Sequence, residues 1–368
     1  MDEEYKANAK VGKVYLNNKT KNITYGPSFI TDLSKYKYTN SYVLCTNTFT
    51  STTETHEYEL KSWISATEAT NETDDTHETF LGGSVKFKVS VETTGVPATE
   101  TLMALTNNSN SSGLYTITHA ADSTLQIGAT ESVTEYRYRG ASPKNYVTFN
   151  NEVWRIVGVF PTDDGTGKIE NRIKLIRNES IGNYYWNTNV TNDWTTASLK
   201  TELNETYLTG LTSIAQNMMG NTKYYLGGYN ENPKIQKDVM YQYERKISGS
   251  TYYYSTNPTN WTGKIALMYL SDYGYAASEE CTQTLSNYDN TTCTSNNWLY
   301  NSSINQWALP QDASYGFYVF TVYSDGDTYG GSSVYGPQNA VRPVLYLTPV
   351  VQITGGSGIV DDPYTLGL

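Results

Sequence analysis

The side chains able to do covalent chemistry are few and badly placed for it. The three histidines stand at 56, 77 and 119, ahead of the region from residue 131 onward that reads as a second domain. A Ser-His-Asp or Cys-His site needs its base beside its nucleophile, so neither is expected there. Three cysteines, at 45, 281 and 293, together with so few histidines, leave no zinc set. Carboxylates are scattered, and a glycosidase pair needs a separation that sequence does not fix. Asp163-Asp164-Gly165 and Asp325-Gly326-Asp327 place carboxylates beside glycine. Both read as hairpin turns, since Asp-Gly favours left-handed backbone, and neither has the spaced oxygens and terminal Glu of a calcium loop. The expectation is a protein without catalytic residues, cofactor or metal.

Recognition chemistry is better represented. Residues 312–337, DASYGFYVFTVYSDGDTYGGSSVYGP, concentrate Tyr, Ser, Gly and Asp and contain no Lys, Glu, Gln, Met, Trp or Arg. Tyrosine offers a rigid amphipathic contact surface at low entropic cost, and Ser, Gly and Asp supply adaptable hydrogen bonding, as in antibody paratopes. The candidate ligand-binding residues are Asp312, Ser314, Tyr315, Tyr318, Tyr323, Asp325, Asp327, Tyr329, Ser332, Ser333 and Tyr335. Phe317, Val319, Phe320 and Val322 are assigned to the core, with a second register open. The plainer alternative is a Tyr-rich sheet edge in a chain that holds 34 Tyr.

The elements that must position this tract are legible in part. Val153 to Phe160 and Arg172 to Arg177 alternate apolar residues across an Asp-Gly-containing turn, which predicts a hairpin. Asp193 or Thr195 can cap a helix carrying Leu199, Leu203, Tyr207 and Leu208, and residues 213–219 suggest a second short helix. Residues 232–250 lack periodicity and read as irregular. Towards the N-terminus, residues 14–16, 42–45, 58–64 and 84–91 read as strands, with period-two alternation clearest in the last. The acidic stretch 66–78 reads as a surface loop. Cys281 and Cys293 bracket a polar loop and read as a disulfide worth roughly 3 kcal/mol in the chain-entropy model, the alternative being two reduced thiols. Cys45 is then a buried strand thiol.

Several segments carry a resemblance. YVTFNNEVWRIVGVF at 146–160, WALP at 307–310, AVRPVLYL at 340–347 and ITGGSGIVDDPYTL at 353–366 resemble the C-type-lectin-like domains of Firmicutes surface proteins. Several such domains resemble variable proteins of diversity-generating retroelements, in which adenine-directed mutagenesis of Asn codons randomises the tract before the V/F-R-P strand. That mechanism cannot yield Lys, Glu, Gln, Met or Trp, and residues 312–337 obey the restriction, although they contain no Asn. Formylglycine-generating enzymes share the fold, but neither Cys281 nor Cys293 matches their motif, so that activity is not carried over. The family's sugar-binding motifs are absent in matching form, Asn192-Asp193-Trp194 having its residues in another order. The YELKSWIS and GSVKFKVSV segments resemble sandwich modules of similar surface proteins.

The resemblance implies an α+β protein: an all-β sandwich over residues 1–130, then a C-type-lectin-like ligand-binding domain over 131–368 with its variable tract at 312–337. A chain of 368 residues accords with two domains, and the Ser/Thr/Asn/Gly-rich stretches at 107–113 and 120–134 suggest the joint. A net charge of −11 argues against nucleic-acid binding and against an anionic membrane surface. No apolar run approaches a membrane span and the start is not a signal peptide, so any membrane link is expected through a segment absent from this chain. The resulting expectation is an extracellular, cell-surface binding protein, adhesin- or receptor-like, whose partner is a protein or glycan on another cell or phage. The alternative is a structural subunit of a bacterial surface assembly.

Overall fold

The computed structural model describes residues 12–19, 22–29, 58–64, 96–230 and 232–368. The chain divides into two compact units between Glu92 and Thr93. In the first, strands β1 (Gly12–Asn18), β2 (Ile23–Phe29) and β3 (Tyr58–Ile64) form one antiparallel sheet in the order β2-β1-β3. The strands expected at 42–45 and 84–91, the loop at 66–78 and Cys45 lie outside the described residues.

The second unit begins well before residue 130. A short helix, Ala98–Met103, is tied down by Ala98 N–H donating to the Val351 carbonyl at 2.8 Å. Strand β4 (Gly113–His119) pairs along its whole length with β5 (Val133–Arg139), and β5 pairs in turn with the long strand Glu152–Asp163. The polar stretch at 120–134 is therefore the connection between two paired strands and not an interdomain joint. Composition marks exposed backbone, and exposed backbone occurs in both settings. His119 accordingly belongs to the second unit, which corrects the expectation of a histidine-free domain.

The second unit is mostly β-sheet with few helices. Strands β6 (Tyr146–Phe149), β7 (Glu152–Asp163) and β8 (Ile169–Arg177) follow one another antiparallel. The β7–β8 hairpin forms where the alternation placed it. Asp163 accepts from the Gly165 and Gly167 amides at 2.8 and 3.0 Å, and both glycines have φ near +90°, as the tight turn requires. Strand β9 (Asn183–Tyr184) follows, and β10 (Thr222–Tyr225) with β11 (Asn260–Gly263) makes a separate ribbon. Strands β12 (Ile265–Ala266), β17 (Val344–Tyr346), β18 (Gln352–Gly355) and β19 (Tyr364–Gly367) complete the larger sheet, in the order β12-β17-β8-β7-β6-β19-β18. The chain's last strand thus pairs parallel with β6.

A second sheet has the order β15-β14-β13-β16-β9, built from β13 (Gln306–Gln311), β14 (Tyr318–Val322), β15 (Thr328–Ser333) and β16 (Asn339–Ala340) with β9. One core cluster joins both sheets and includes Trp154, Trp186, Trp194 and Trp307, all almost wholly buried. Trp186 and Trp194 meet edge to face at 5.3 Å, and Trp307 donates to the Tyr184 carbonyl at 2.8 Å, which fixes β9 against β13.

The helices depart from the sequence reading in detail. Asp193 caps a single 3-10 turn, Trp194–Thr196. The helix proper then runs through Ser198–Thr201, a π segment Glu202–Tyr207 and Leu208–Gly210, with Leu199 and Leu203 buried. Thr212 caps Ser213–Met218. Within the stretch expected to be irregular lies a helix, Lys237–Glu244, whose buried side comprises Met240, Tyr241 and Glu244. A buried glutamate breaks the apolar stripe that periodicity detects. The helix Leu270–Ala276 is buried on every side and so shows no stripe either.

Candidate functional site

Two arrangements of polar side chains stand out, one internal and one on the surface. The internal one gathers Arg137, Lys174 and Arg245 with Glu135, Glu244 and Asp272, all nearly inaccessible. Asp272 accepts from Arg137 Nη1 at 3.0 Å, from Lys174 Nζ at 2.5 Å and from the Tyr269 amide at 2.9 Å. Glu135 accepts from Arg137 Nε at 2.8 Å, and Glu244 pairs with Arg245 at 2.9 Å while receiving Ser271. Burial pushes the Asp272 carboxyl up, yet Lys174 and Arg137 outweigh it and hold the group below the usual carboxylate range. The Glu135 carboxyl is likewise lowered, burial being outweighed by Arg137 and the His119 contact. Burial dominates for Glu244, which is raised, and for Lys174, which is lowered. His119 stacks on Tyr241 at 3.6 Å and lies 3.4 Å from Glu135. The adjoining cavity, lined by Glu135, Arg245, Tyr225 and Tyr269, encloses about 20 Å³, room for a water. Three cations facing three anions form an ionic core between β5, β8 and two helices, in which the buried Arg137 Nη2 has no hydrogen-bond partner among the described residues.

The surface arrangement includes part of the tract at 312–337. Tyr315 and Tyr335 are about half exposed, Ser314 is exposed, and Tyr318, Tyr323, Tyr329 and Ser333 are half-buried. Val319, Phe320 and Val322 are buried, and Phe317 packs partly against the core. Two candidates are corrected. Asp312 is fully buried, because its Oδ1 accepts from the Ser314 and Tyr315 amides at 2.6 and 3.0 Å and so folds the turn. Ser332 faces inward on β15 and sits 3.1 Å from the Tyr323 hydroxyl.

The tract also does not form one surface. Tyr318 pairs with Ser333 across β14 and β15, so Tyr315, Tyr318, Ser333 and Tyr335 share one end of the sheet. Asp325 and Asp327 lie at the other end, in the turn after β14, where the Tyr273 hydroxyl donates to the Gly326 carbonyl at 3.0 Å. Burial, with the charges of Asp289 and Asp325, pushes Asp327 up to about 6.

At the tyrosine end two further segments, residues 187–192 and 254–257, meet the tract, neither of them identified from sequence. Tyr185, Tyr254, Tyr315 and Tyr335 are the exposed tyrosines of the described second-unit residues, and each comes from a different segment. The Tyr254 ring lies so close over Gly316 that a Cβ there would sit 2.3 Å from it. Asn192 binds the segments together, its amide group donating to the carbonyls of Asp312, Tyr315 and Tyr318 at 2.9 to 3.1 Å. Asn257 donates to Asn192 Oδ1 and Gln311 Oε1 at 2.8 and 2.9 Å. The Asn187 backbone N–H donates to the Val334 carbonyl at 3.0 Å, and Val334 N–H donates to the Phe317 carbonyl at 3.0 Å. The amides of Asn192 and Asn257 thus tie these segments to the tract beneath its exposed rings. A signal was available: residues 183–192 and 251–260 share a charge-free, Tyr/Asn/Thr-rich composition.

Cys281 and Cys293 are joined in a disulfide. Comparison with protein-family models, with curated proteins and with solved structures finds no match to this chain.

Proposed function

We propose that this chain is a ligand-binding protein of a bacterial cell surface, presenting a tyrosine-rich recognition surface on a C-type-lectin-like scaffold. The meeting of Tyr254, Tyr315 and Tyr335 at one end of the second sheet carries the reading. Exposed rings on a preorganised polar base lose little entropy on binding. The order of elements supports the scaffold: the β7–β8 hairpin, then helices, long connections and closing strands. The disulfide accords with an oxidising compartment. Diversification of the tract would act on Ser314, Tyr315, Tyr318, Ser333 and Tyr335, whose side chains reach solvent at least in part, and would spare Asp312, Val319, Phe320 and Val322, which hold the fold.

Sequencing the gene in sibling isolates tests this. Substitutions concentrated at those partly exposed positions, beside a reverse-transcriptase gene and a near-duplicate template, are the expected result. A uniform tract would overturn the diversified-receptor reading in favour of a structural subunit of a surface assembly.

A further inference from the structure

Two buried cations stand outside the ionic core and outside every ion pair of the second unit. Among the described residues, the arginines with carboxylate partners are Arg137, Arg139, Arg172, Arg177 and Arg245. Arg155 and Arg342 have none, although they are only 6% and 5% exposed. Arg155 Nε donates to Asn145 Oδ1 at 2.7 Å, and its guanidinium lies 3.7 Å from the centroid of the Tyr146 ring and 4.8 Å from that of Trp298. Arg342 Nε donates to the Arg177 carbonyl at 2.9 Å, and its Nη1 donates to Gln306 Oε1 at 3.3 Å. Register puts the two arginines on one face of the larger sheet. Arg155 on β7 stands opposite Ile176, Ile176 stands opposite Val344, and Arg342 precedes Val344 by two residues. With its oxygen committed to Arg342, the Gln306 amide turns its nitrogen away, and that nitrogen is buried without a hydrogen-bond partner.

We infer that Arg155, Arg342 and Gln306 form a site for one small monovalent anion, chloride in an ordinary medium, held where the larger sheet meets β13. A guanidinium does not give up its proton in a protein, so its charge has to be met where it stands. Burial, joined by the charge of Arg155 and partly offset by Glu179, pushes Arg342 down to about 10, and burial lowers Arg155 to about 10 as well. Carbonyl and amide oxygens and ring faces offset a buried cation less than an anion does. The groups left over are all donors, namely the remaining guanidinium N–H groups and the Gln306 amide nitrogen. Donors alone call for a partner that only accepts, which describes a halide and not a water. The ion links β7 and the Arg-Pro segment before β17 to β13, the strand that leads into Asp312 and the tract.

The test follows thermal unfolding of the full chain in sodium chloride and in sodium gluconate at equal ionic strength, gluconate being too large for the site. Tm in chloride should rise above that in gluconate by about 3 to 5 °C for each tenfold increase in concentration beyond the dissociation constant. Gln306→Glu sets a carboxylate beside Arg342 as a built-in counter-ion and should remove most of that response. Gln242→Glu, the same change of charge at an exposed position, should keep it. Crystals grown in sodium bromide should show an anomalous peak in contact with the Arg155 and Arg342 guanidinium groups. Equal Tm in the two salts, or a chloride response undiminished in Gln306→Glu, would overturn the inference. A bromide peak at the site without any response in Tm marks an adventitious ion only and overturns it as well. Should Gln306→Glu fail to fold, Arg155→Met, which removes one of the two cations, carries the same comparison.

Discussion

Replacing Asp272 by Asn is the sharpest probe of the ionic core. The carboxylate is buried and receives Arg137, Lys174 and the Tyr269 amide. Asparagine keeps the shape and one acceptor oxygen but leaves three buried cations facing two anions. Arg137 retains Glu135, whereas Asp272 is the carboxylate paired with Lys174. Breaking a buried pair from one side costs about 3 to 5 kcal/mol, or roughly 6 to 20 °C in Tm for a unit of this size. The loss should also depend on pH. Burial holds the Lys174 ammonium below its usual value, and without Asp272 it falls further, so the unfolded chain binds more protons than the folded one at high pH. Stability of the variant therefore recovers, relative to wild type, as pH rises above neutrality. Adding Lys174→Met should restore most of the loss, because an apolar group in place of the orphaned ammonium leaves nothing unpaired. Urea denaturation of wild type, single and double variants at neutral and alkaline pH reads all three effects. A single-variant cost below about 1 kcal/mol, or a double variant no better than the single, would refute the claim that this network works as a mutually paired unit.

Asp327 titrates in the opposite sense to Asp272 and Glu135. Its raised pKa of about 6 means that the folded state favours the protonated form, so its contribution is complete below 3.8 and is lost as pH rises through about 6. Asp327→Asn should gain stability relative to wild type across that window, and parallel Tm curves would contradict this. Replacing Cys281 and Cys293 together by Ser should cost roughly 3 kcal/mol by denaturant titration, a value near zero indicating that the loop is held by its other contacts. Trp307→Ala should lose about 3 to 5 kcal/mol, while Tyr315→Ser with Tyr335→Ser should stay within about 0.5 kcal/mol each, as calorimetry can establish. Limited proteolysis should leave a resistant fragment beginning near residue 93, and one beginning near 136 would contradict the pairing of β4 with β5.

Features encoded by neighbours along the chain are legible in the sequence itself. The β7–β8 hairpin follows from apolar alternation and Asp-Gly backbone, and the inward set Val319, Phe320 and Val322 from hydrophobicity. What spacing does not convey is the partner of each polar group. Asp312 has the composition of a contact residue, but a short carboxylate can fold its own turn, and this one is buried doing so. Glu244 looks like a solvated position, yet Arg245 and Ser271 satisfy it inside the fold, which hides the helix Lys237–Glu244 from periodicity. The separation of the two aspartates from the tyrosine end is set by the reversal of β14 into β15. Likewise, nothing in sequence order joins Tyr254 to Tyr315 and Tyr335. Their meeting depends on Asn192 and Asn257, whose hydrogen bonds span more than fifty residues of chain. Sequence determined which residues carry recognition-type side chains, and tertiary structure decided which of them are exposed, because burial depends on contacts between segments far apart in the chain.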